Sequence, residues 1–323
     1  MMADTLGGDY LCTPALNSSC RLMSVTPDAI LIKTLMYCLS LLTVMLNLLV
    51  IISISHFRQL HTPTNLLILS LAVSDFLLGL VVMPPSVILL QSCWFLDKIT
   101  CALLYLTSLI LTSASVGTMV LISVDRYVAI CEPLHYCSMM TAIRVKICVS
   151  VCWFSSVTYN LIIMKDFLSQ IDLSDSCYQE CSLTIDYISG AVDLILTFSG
   201  PVAVIIVLYM RVFVAAVSQA RAMKSQIAKS KTVSVKKSEM RAARTLGIVL
   251  LVFILCLCPY YIPSLAGQET TVPESPAAMW LFYCNSSFNP LIYAFYYPWF
   301  RKTVKLIVSL QILRPGSCET KIM

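Results

Sequence analysis

A few ionisable side chains stand inside long apolar stretches of this sequence, where a buried charge is costly. Asp75 falls in the middle of one such stretch, and Asp193 falls in the first half of another. Others stand at the ends of such stretches: Asp125, Arg126, Tyr127 and Glu239. Because lipid offers these groups no hydration, each of them is a candidate for binding or for switching.

The chemistry of the two mid-stretch carboxylates has alternative interpretations. Asp75 is a hydrogen-bonded residue of the core or part of a sodium site, and the two roles are compatible. Asp193 either pairs within the protein or binds a ligand. No basic residue of a neighbouring stretch lies at its depth, although Lys165 and Lys98 lie nearer the surface. We therefore favour Asp193 as a ligand-binding residue.

The stretches that hold these residues are long enough to cross a bilayer, which takes roughly 20 residues per helix. The 323-residue chain is 58% hydrophobic and 12% charged, so its main solvent is lipid. Alternating strands of a β-barrel are absent from the sequence, which leaves helices to satisfy the backbone. We predict seven spans, at residues 30–56, 65–90, 99–130, 143–163, 187–217, 245–266 and 276–297.

The basic residues predict the orientation of this all-α membrane protein. Most of the 22 Lys and Arg residues fall in the C-terminal tail and in the loops on its side, which marks that side as cytoplasmic. Residues 1–29 are then extracellular, residues 30–297 form the seven-helix bundle, and residues 298–323 form a short amphipathic helix and a tail. Without a cleavable signal, the first span serves as its own anchor. Asn17, in an Asn-Ser-Ser sequon, is expected to be glycosylated.

Motifs in the spans resemble those of a rhodopsin-like G-protein-coupled receptor. The shared positions are Asn47, Asp75, Asp125-Arg126-Tyr127, Trp153, Pro201, Pro259 and Asn289-Pro290-Leu291-Ile292-Tyr293. Within that family the chain resembles the trace amine-associated receptors, through NSSFNPLIYAFYYPWFRK from Asn285 to Lys302, DRYVAICEPLHY and AARTLGIVLLVF. The resemblance implies a Cys101–Cys181 disulfide and a second bridge from the N-terminal segment to Cys177. For the second bridge we favour Cys20 over Cys12.

One departure from the amine-receptor pattern changes the expected ligand pose. Ser108 stands where such receptors usually carry an Asp in the third span, so the usual salt bridge to an ammonium group is not available. Asp193 supplies a carboxylate from the fifth span instead, which resembles the teleost-type branch of the family. The amine is then expected to point its ammonium group towards the fifth helix. In the sixth span Leu257 replaces the usual Trp, so Phe253 is expected to carry the packing change.

The resemblance also implies which residues form the pocket and the switch. The expected ligand contacts are Asp193, Ser108, Thr112, Thr197, Tyr260, Tyr261 and Tyr283, although ordinary packing explains the three tyrosines equally well. The expected switch residues are Asp125, Arg126, Tyr127, Glu239, Tyr209, Phe253, Asn289, Pro290 and Tyr293, with Arg126 paired to Glu239 at rest. The expected allosteric sodium site is Asp75, Ser115, Asn285, Ser286 and Asn289. The basic third inner loop either anchors to the membrane or contacts a G protein, and both roles are compatible.

The expected function is a plasma-membrane receptor for small protonated amines that signals through a stimulatory G protein and cAMP, in olfaction. Arrestin is a further expected partner, whereas an enzyme activity, a nucleic-acid partner or a cofactor other than sodium is not expected. The alternative is a serotonin- or histamine-like neurotransmitter receptor, against which Ser108 argues. A transporter would show inverted repeats, and an opsin would carry a Lys where Tyr283 stands.

Overall fold

The computed structural model describes residues 27–89, 98–165, 183–185, 187–225, 247–261, 270–272, 276–320 and 322. Five of its helices are long and apolar enough to cross a membrane: Ile30–His56, Pro63–Val87, Ile99–Cys131, Ala142–Ile163 and Ile188–Ala215. A shorter apolar helix, Gly247–Tyr261, and the helix Pro276–Tyr296 follow in the sixth and seventh predicted spans. Each predicted span therefore holds a helix.

The starts of two helices show how local sequence sets their bounds. The second helix begins with Pro63, and the Thr62 side chain before it accepts a hydrogen bond from the Asn65 amide at 3.3 Å. The fourth helix, Ala142–Ile163, is capped in the same way by Thr141. The amide groups in the first turn of a helix have no partner within the helix. A threonine cap accepts a hydrogen bond from one of them, and an initial proline carries no amide hydrogen. The first and third helices, Pro27–His56 and Lys98–Cys131, run without interruption.

Wider helical turns interrupt the second and fifth spans. The second span continues from Pro63–Leu77 through a π-helical segment, Leu78–Val82, into the helix Met83–Leu89. The fifth span runs from Tyr187–Asp193 through a π-helical segment, Leu194–Ser199, into the helix Gly200–Ser225. Segments of this kind change the direction of the side chains around them and are frequent at functional sites. In the fifth span the segment separates Asp193 from Pro201.

Gly200 closes the π-helical segment of the fifth span. A Cβ atom at this position would lie 2.8 Å from the Ile195 carbonyl oxygen, which is backbone and has little freedom to move. We predict that Gly200→Ala disturbs this segment and weakens the ligand response at equal surface level, since it shifts Asp193 relative to the sixth helix. Dose–response curves normalised to surface staining would test this. The neighbouring Ser199→Ala, which removes an atom instead of adding one, should keep the normal response, and equal curves for both variants would contradict the prediction.

The helices pack around the third, which contacts the second, fourth and fifth. The Trp153 indole of the fourth helix donates a 3.0 Å hydrogen bond to the Ser70 hydroxyl of the second. Towards one end, Phe253 and Leu257 of the sixth helix are buried in the same cluster as Met119 and Tyr293. The apolar faces that point away from these contacts remain exposed, as expected for helices surrounded by lipid.

Three features differ from the sequence predictions or add to them. The fifth helix continues to Ser225, so its basic end is helical where we expected a loop. A strand β1, Leu183–Ile185, pairs antiparallel with a strand β2, Thr270–Val272, and joins the segment before the fifth helix to the one before the seventh. The predicted amphipathic helix is confirmed as Pro298–Val308, with Trp299, Phe300 and Thr303 buried.

Candidate functional site

Asp193 ends the first helical segment of the fifth span and is half-buried. Its Oδ1 atom accepts hydrogen bonds from the Tyr159 hydroxyl and from the Thr197 hydroxyl, both at 3.0 Å. Within the described residues, no Lys, Arg or His forms an ion pair with this carboxylate. Asp193 is thus paired within the protein, as one interpretation held, but its partners are hydroxyl groups that leave the negative charge uncompensated.

A row of aromatic rings leads from Asp193 towards the third span. The Tyr261 hydroxyl lies 3.1 Å from the Thr197 hydroxyl, which in turn contacts Asp193. The row consists of Phe198, Tyr261, Tyr260, Phe282 and Tyr283, whose neighbouring ring centroids lie 4.6 to 5.7 Å apart. Ring faces attract cations, at about 0.5–2 kcal/mol each. The Asp193 carboxylate lies at one end of a row of buried and partly buried aromatic rings.

The described side chains at the far end of the row are uncharged. The Tyr283 hydroxyl lies 3.2 Å from the Ser86 hydroxyl, and both residues are buried. Ser108 is half-buried and its side chain lies close to Tyr283. Thr112 donates its hydroxyl proton to the Ser108 carbonyl at 2.8 Å, so this group is already satisfied by its own helix. Ser108 and Tyr283 thus lie together, and the Thr112 hydroxyl, whose proton goes to its own helix, keeps its acceptor capacity, so its ligand contact stays a prediction.

The sequence prediction missed three residues of this region: Tyr159, Phe198 and Ser86. Tyr159 is the most informative, because a tyrosine in the apolar fourth span needs a partner for its hydroxyl. That requirement is visible in the sequence, but the identity of the partner depends on how the fourth and fifth helices pack. Ser86 gives no comparable signal, since a serine hydroxyl is satisfied by its own helix, here by the Val82 carbonyl at 2.8 Å.

A second polar cluster lies at the middle of the bundle, around Asp75. Its carboxylate accepts hydrogen bonds from the Ser286 hydroxyl at 2.7 Å and from the Asn289 amide at 2.8 Å. Asn47 donates to the Ser286 carbonyl at 2.9 Å, which links the first and seventh helices to the cluster. The predicted member Ser115 bonds instead to the Ser74 hydroxyl at 2.8 Å. Asp75 is therefore a hydrogen-bonded core residue, as one of its two interpretations held.

The same cluster meets the chemical requirements of a hard cation. Carboxylate, hydroxyl and amide oxygens are the ligands that such ions prefer. The Asn285 and Asn289 side-chain oxygens are buried and find no hydrogen-bond donor among the residues described. Asn289 itself contacts the Asp75 carboxylate, and such acceptors fit a sodium ion, so the sodium role stays a prediction beside the structural one.

Arg126, near the C-terminal end of the third helix, is held by neighbouring side chains. Its guanidinium group pairs with the Asp125 carboxylate and donates to the Thr64 hydroxyl at 2.6 Å. The Tyr136 hydroxyl, in the short helix Tyr136–Met139, donates to the other Asp125 oxygen at 3.0 Å. Burial and the Asp125 charge raise the pKa of the Tyr136 hydroxyl, which keeps its proton available for this bond. The expected partner Glu239 lies outside the described residues, so that pairing stays a prediction.

The other predicted switch residues lie on the third, fifth, sixth and seventh helices. Tyr127 packs near Val212 of the fifth helix, and Phe253 is fully buried in the sixth. Asn289 and Pro290 lie within the uninterrupted helix Pro276–Tyr296. Tyr209 faces Gly247, so close that a Cβ atom there would lie 2.8 Å from its ring. The fifth and sixth helices therefore meet closely at the level where they would separate on activation.

Several predicted features fall at the edge of the described chain. Cys101 is disulfide-bonded, as predicted. The proposed partner Cys181 lies outside the described residues, as do Cys177, Cys20 and the sequon residue Asn17. The two disulfide pairings and the glycosylation therefore stay predictions.

Comparison with known proteins gives the family. The sequence profile of the 7 transmembrane receptor (rhodopsin family) matches residues 46–293. The chain is 37% identical to trace amine-associated receptor 13c of Danio rerio, over 96% of this chain and 95% of that receptor. It is 35% identical to trace amine-associated receptor 4 of Mus musculus, over 96% and 94%. Against trace amine-associated receptor 1 of Homo sapiens it is 35% identical over 90% of both chains.

These matches extend over nearly the whole chain and agree with the five long apolar helices, with the helices Gly247–Tyr261 and Pro276–Tyr296, and with their motifs. The predicted fold, a seven-transmembrane helix bundle, is thereby confirmed, and so is the prediction that the protein is not an enzyme. The chain belongs to the rhodopsin family of seven-transmembrane receptors and, within it, to the trace amine-associated receptors.

Proposed function

We propose that this receptor detects small protonated amines and that Asp193 binds their ammonium group. The observation that carries the proposal is a carboxylate in the fifth span whose partners, among the described residues, are hydroxyl groups. An ammonium ion supplies the missing positive charge. The names of the relatives, trace amine-associated receptors, support the same ligand class.

The proposed pose follows from the charge distribution. An ammonium group at Asp193 leaves the rest of a small amine against the aromatic row, with its far end towards Ser108 and Tyr283. Both the carboxylate and the ammonium lose hydration on pairing, so the pair is favourable only if other groups compensate. The hydroxyls of Tyr159 and Thr197 solvate the carboxylate, and the ring faces of Tyr260 and Tyr261 attract the cation.

Signalling requires an element with two states whose equilibrium the ligand shifts. We propose that Arg126 contacts Asp125 and Thr64 in the resting state. The family pattern implies a further resting-state contact with Glu239. Release of Arg126 and outward movement of the sixth helix would admit a G protein. A sodium ion held by Asp75, Ser286, Asn285 and Asn289 would supply positive charge that favours the resting packing.

The signalling partners, the physiological role and the cellular location of the receptor are proposed from the family resemblance. They are a stimulatory G protein, a cAMP response, arrestin binding, an olfactory role and a plasma-membrane location with the N-terminus outside. The excess of Lys and Arg in the tail and in the loops on its side supports that orientation.

A panel of amines tested on cells with a cAMP reporter is the experiment for this proposal. We expect one or more small amines to raise cAMP in a dose-dependent manner. A parallel calcium reporter, which detects coupling to another G protein, should stay silent. Surface staining of an N-terminal epitope on intact cells tests the orientation in the same cells. A receptor that reaches the surface and responds to non-amines alone would contradict the amine assignment.

Ser108→Asp extends the test to the far end of the pocket. A second carboxylate near Tyr283 would pair with a second ammonium group, so we expect diamines to gain potency by about tenfold or more, the size of a charged hydrogen bond. Monoamines should gain much less. Ser113→Asp on the same helix, where Ser113 donates to the Leu109 carbonyl, is the control. An equal gain for monoamines and diamines would contradict the proposed pose.

A further inference from the structure

Tyr159 connects the fourth helix to the carboxylate of Asp193. Its hydroxyl donates to Asp193 Oδ1 at 3.0 Å, and the ring is partly buried between the fourth and fifth helices. The neighbouring side chain, Thr158, is exposed and donates to the Phe154 carbonyl of its own helix at 3.0 Å. The Tyr159 hydroxyl of the fourth helix therefore bonds to Asp193, whereas the hydroxyl of its neighbour Thr158 bonds within the fourth helix.

Of the two hydroxyl groups that contact Asp193 Oδ1, Tyr159 is the stronger donor and Thr197 the weaker. The Thr197 hydroxyl carries one proton but has two acceptors, the Asp193 carbonyl at 2.6 Å and Oδ1 at 3.0 Å. That proton is shared between the two acceptors, with the shorter contact to the carbonyl the stronger, and the Tyr261 hydroxyl at 3.1 Å is then the donor to Thr197. Among the described residues the Tyr159 hydroxyl has one acceptor, Oδ1, so its proton is directed wholly to that atom.

The two oxygens of the carboxylate are consequently not equivalent. A carboxylate oxygen accepts about two hydrogen bonds, and the Tyr159 and Thr197 contacts together fill Oδ1, whereas Oδ2 receives no hydrogen bond from the described residues. A carboxylate with both oxygens available binds a guanidinium group through two parallel hydrogen bonds. An ammonium group needs only one oxygen, because its N–H donors radiate from a single nitrogen atom.

We propose that Tyr159 is a positioning residue that occupies Oδ1 of Asp193 and presents Oδ2 alone to the ligand, which makes the receptor select ammonium over guanidinium and amidinium groups. The inference rests on the proposed function of Asp193 and specifies its ligand class. Primary, secondary and tertiary amines all carry the one N–H that Oδ2 requires. A guanidine of the same carbon skeleton loses its second hydrogen bond and is disfavoured.

Tyr159→Phe tests this inference, since it keeps the ring and removes only the hydroxyl. The probes are an alkylamine that activates the receptor and the guanidine with the same alkyl chain. We expect the amine to change little in potency, because the Tyr159–Asp193 hydrogen bond is present with and without ligand. The guanidine should gain about tenfold, the size of the second hydrogen bond to a charged group that Oδ1 can then accept, so the amine-to-guanidine potency ratio falls by about tenfold. Thr158→Val should leave both potencies and their ratio unchanged.

The potency ratio separates positioning from a general loss of structure. Damage to the fold would lower surface staining and weaken both ligands equally, which would overturn the inference. Thr197→Val provides a second variant, and we expect a smaller change in the ratio because its proton is directed mainly to the backbone carbonyl. A ratio in Tyr159→Phe equal to that of the unmodified receptor would also overturn the inference.

Asp193→Asn, run on the same two ligands, distinguishes this inference from the proposed function. Loss of the amine response in that variant, together with an unchanged ratio in Tyr159→Phe, would overturn the role of Tyr159 and leave the amine site standing. A full amine response in Asp193→Asn would overturn both.

Discussion

Asp193→Asn is expected to raise the amine concentration needed for half-maximal response by at least about 30-fold, with normal surface level. The asparagine keeps the shape of the side chain, and its amide oxygen still accepts from the Tyr159 hydroxyl that bonds Asp193 at 3.0 Å. What it lacks is the charge that pairs with ammonium. Truncating one partner of a buried charge pair costs about 2–5 kcal/mol, which corresponds to roughly 30-fold to several thousand-fold in affinity.

The controls for this variant separate charge from folding. Asp193→Glu retains the charge but moves it by one methylene, so we expect a weakened response rather than a lost one. Surface staining and the response to directly activated adenylyl cyclase show that the cells and the receptor are intact. An unchanged dose–response curve for Asp193→Asn at equal surface level would rule out Asp193 as the ammonium anchor.

Asp125→Asn is expected to raise ligand-independent signalling several-fold and to lower the amount of receptor at the surface. Arg126 and Asp125 form an ion pair with side chains only 8% and 0% exposed. Removing one member of a buried pair costs about 3–5 kcal/mol, because the other charge is left without compensation. The guanidinium group then gains by moving out of this position, which favours the state that accepts a G protein.

Tyr136→Phe gives a graded comparison for the same contact. It removes the 3.0 Å hydrogen bond to Asp125 but leaves the ion pair intact, so we expect a smaller rise in basal activity. The measurement is basal cAMP divided by surface staining, compared with the unmodified receptor. Basal activity that stays constant in Asp125→Asn, at equal surface level, would contradict the assignment of this contact to the resting state.

The sequence predicted the spans well because their physical signal is simple. A run of apolar residues long enough to cross a bilayer admits few alternatives to a helix. The end of the fifth helix was less predictable. The apolar run stops near residue 217 while the helix continues to Ser225, since a helix that leaves the membrane needs no apolar face all round.

The wider helical turns and the partner of Asp193 illustrate what sequence reasoning does not reach. The segment Leu194–Ser199 consists of apolar and small residues that fit an ordinary helix equally well. Its width depends on how the fifth helix packs and on the absence of a side chain at Gly200. Asp193 itself was predictable, because a charge in an apolar stretch is rare. Tyr159 was not, because a hydroxyl gives no indication of which helix it will face.

The central claim is that Asp193 recognises the positive charge of the ligand. The most direct measurement compares an activating amine with its uncharged isostere, the alcohol of the same carbon skeleton, on the unmodified receptor and on Asp193→Asn. We predict that the unmodified receptor prefers the amine by about 30-fold or more and that the preference shrinks to a few-fold in the variant. A preference of the same size in both receptors would contradict the claim, because the charge would then be recognised elsewhere.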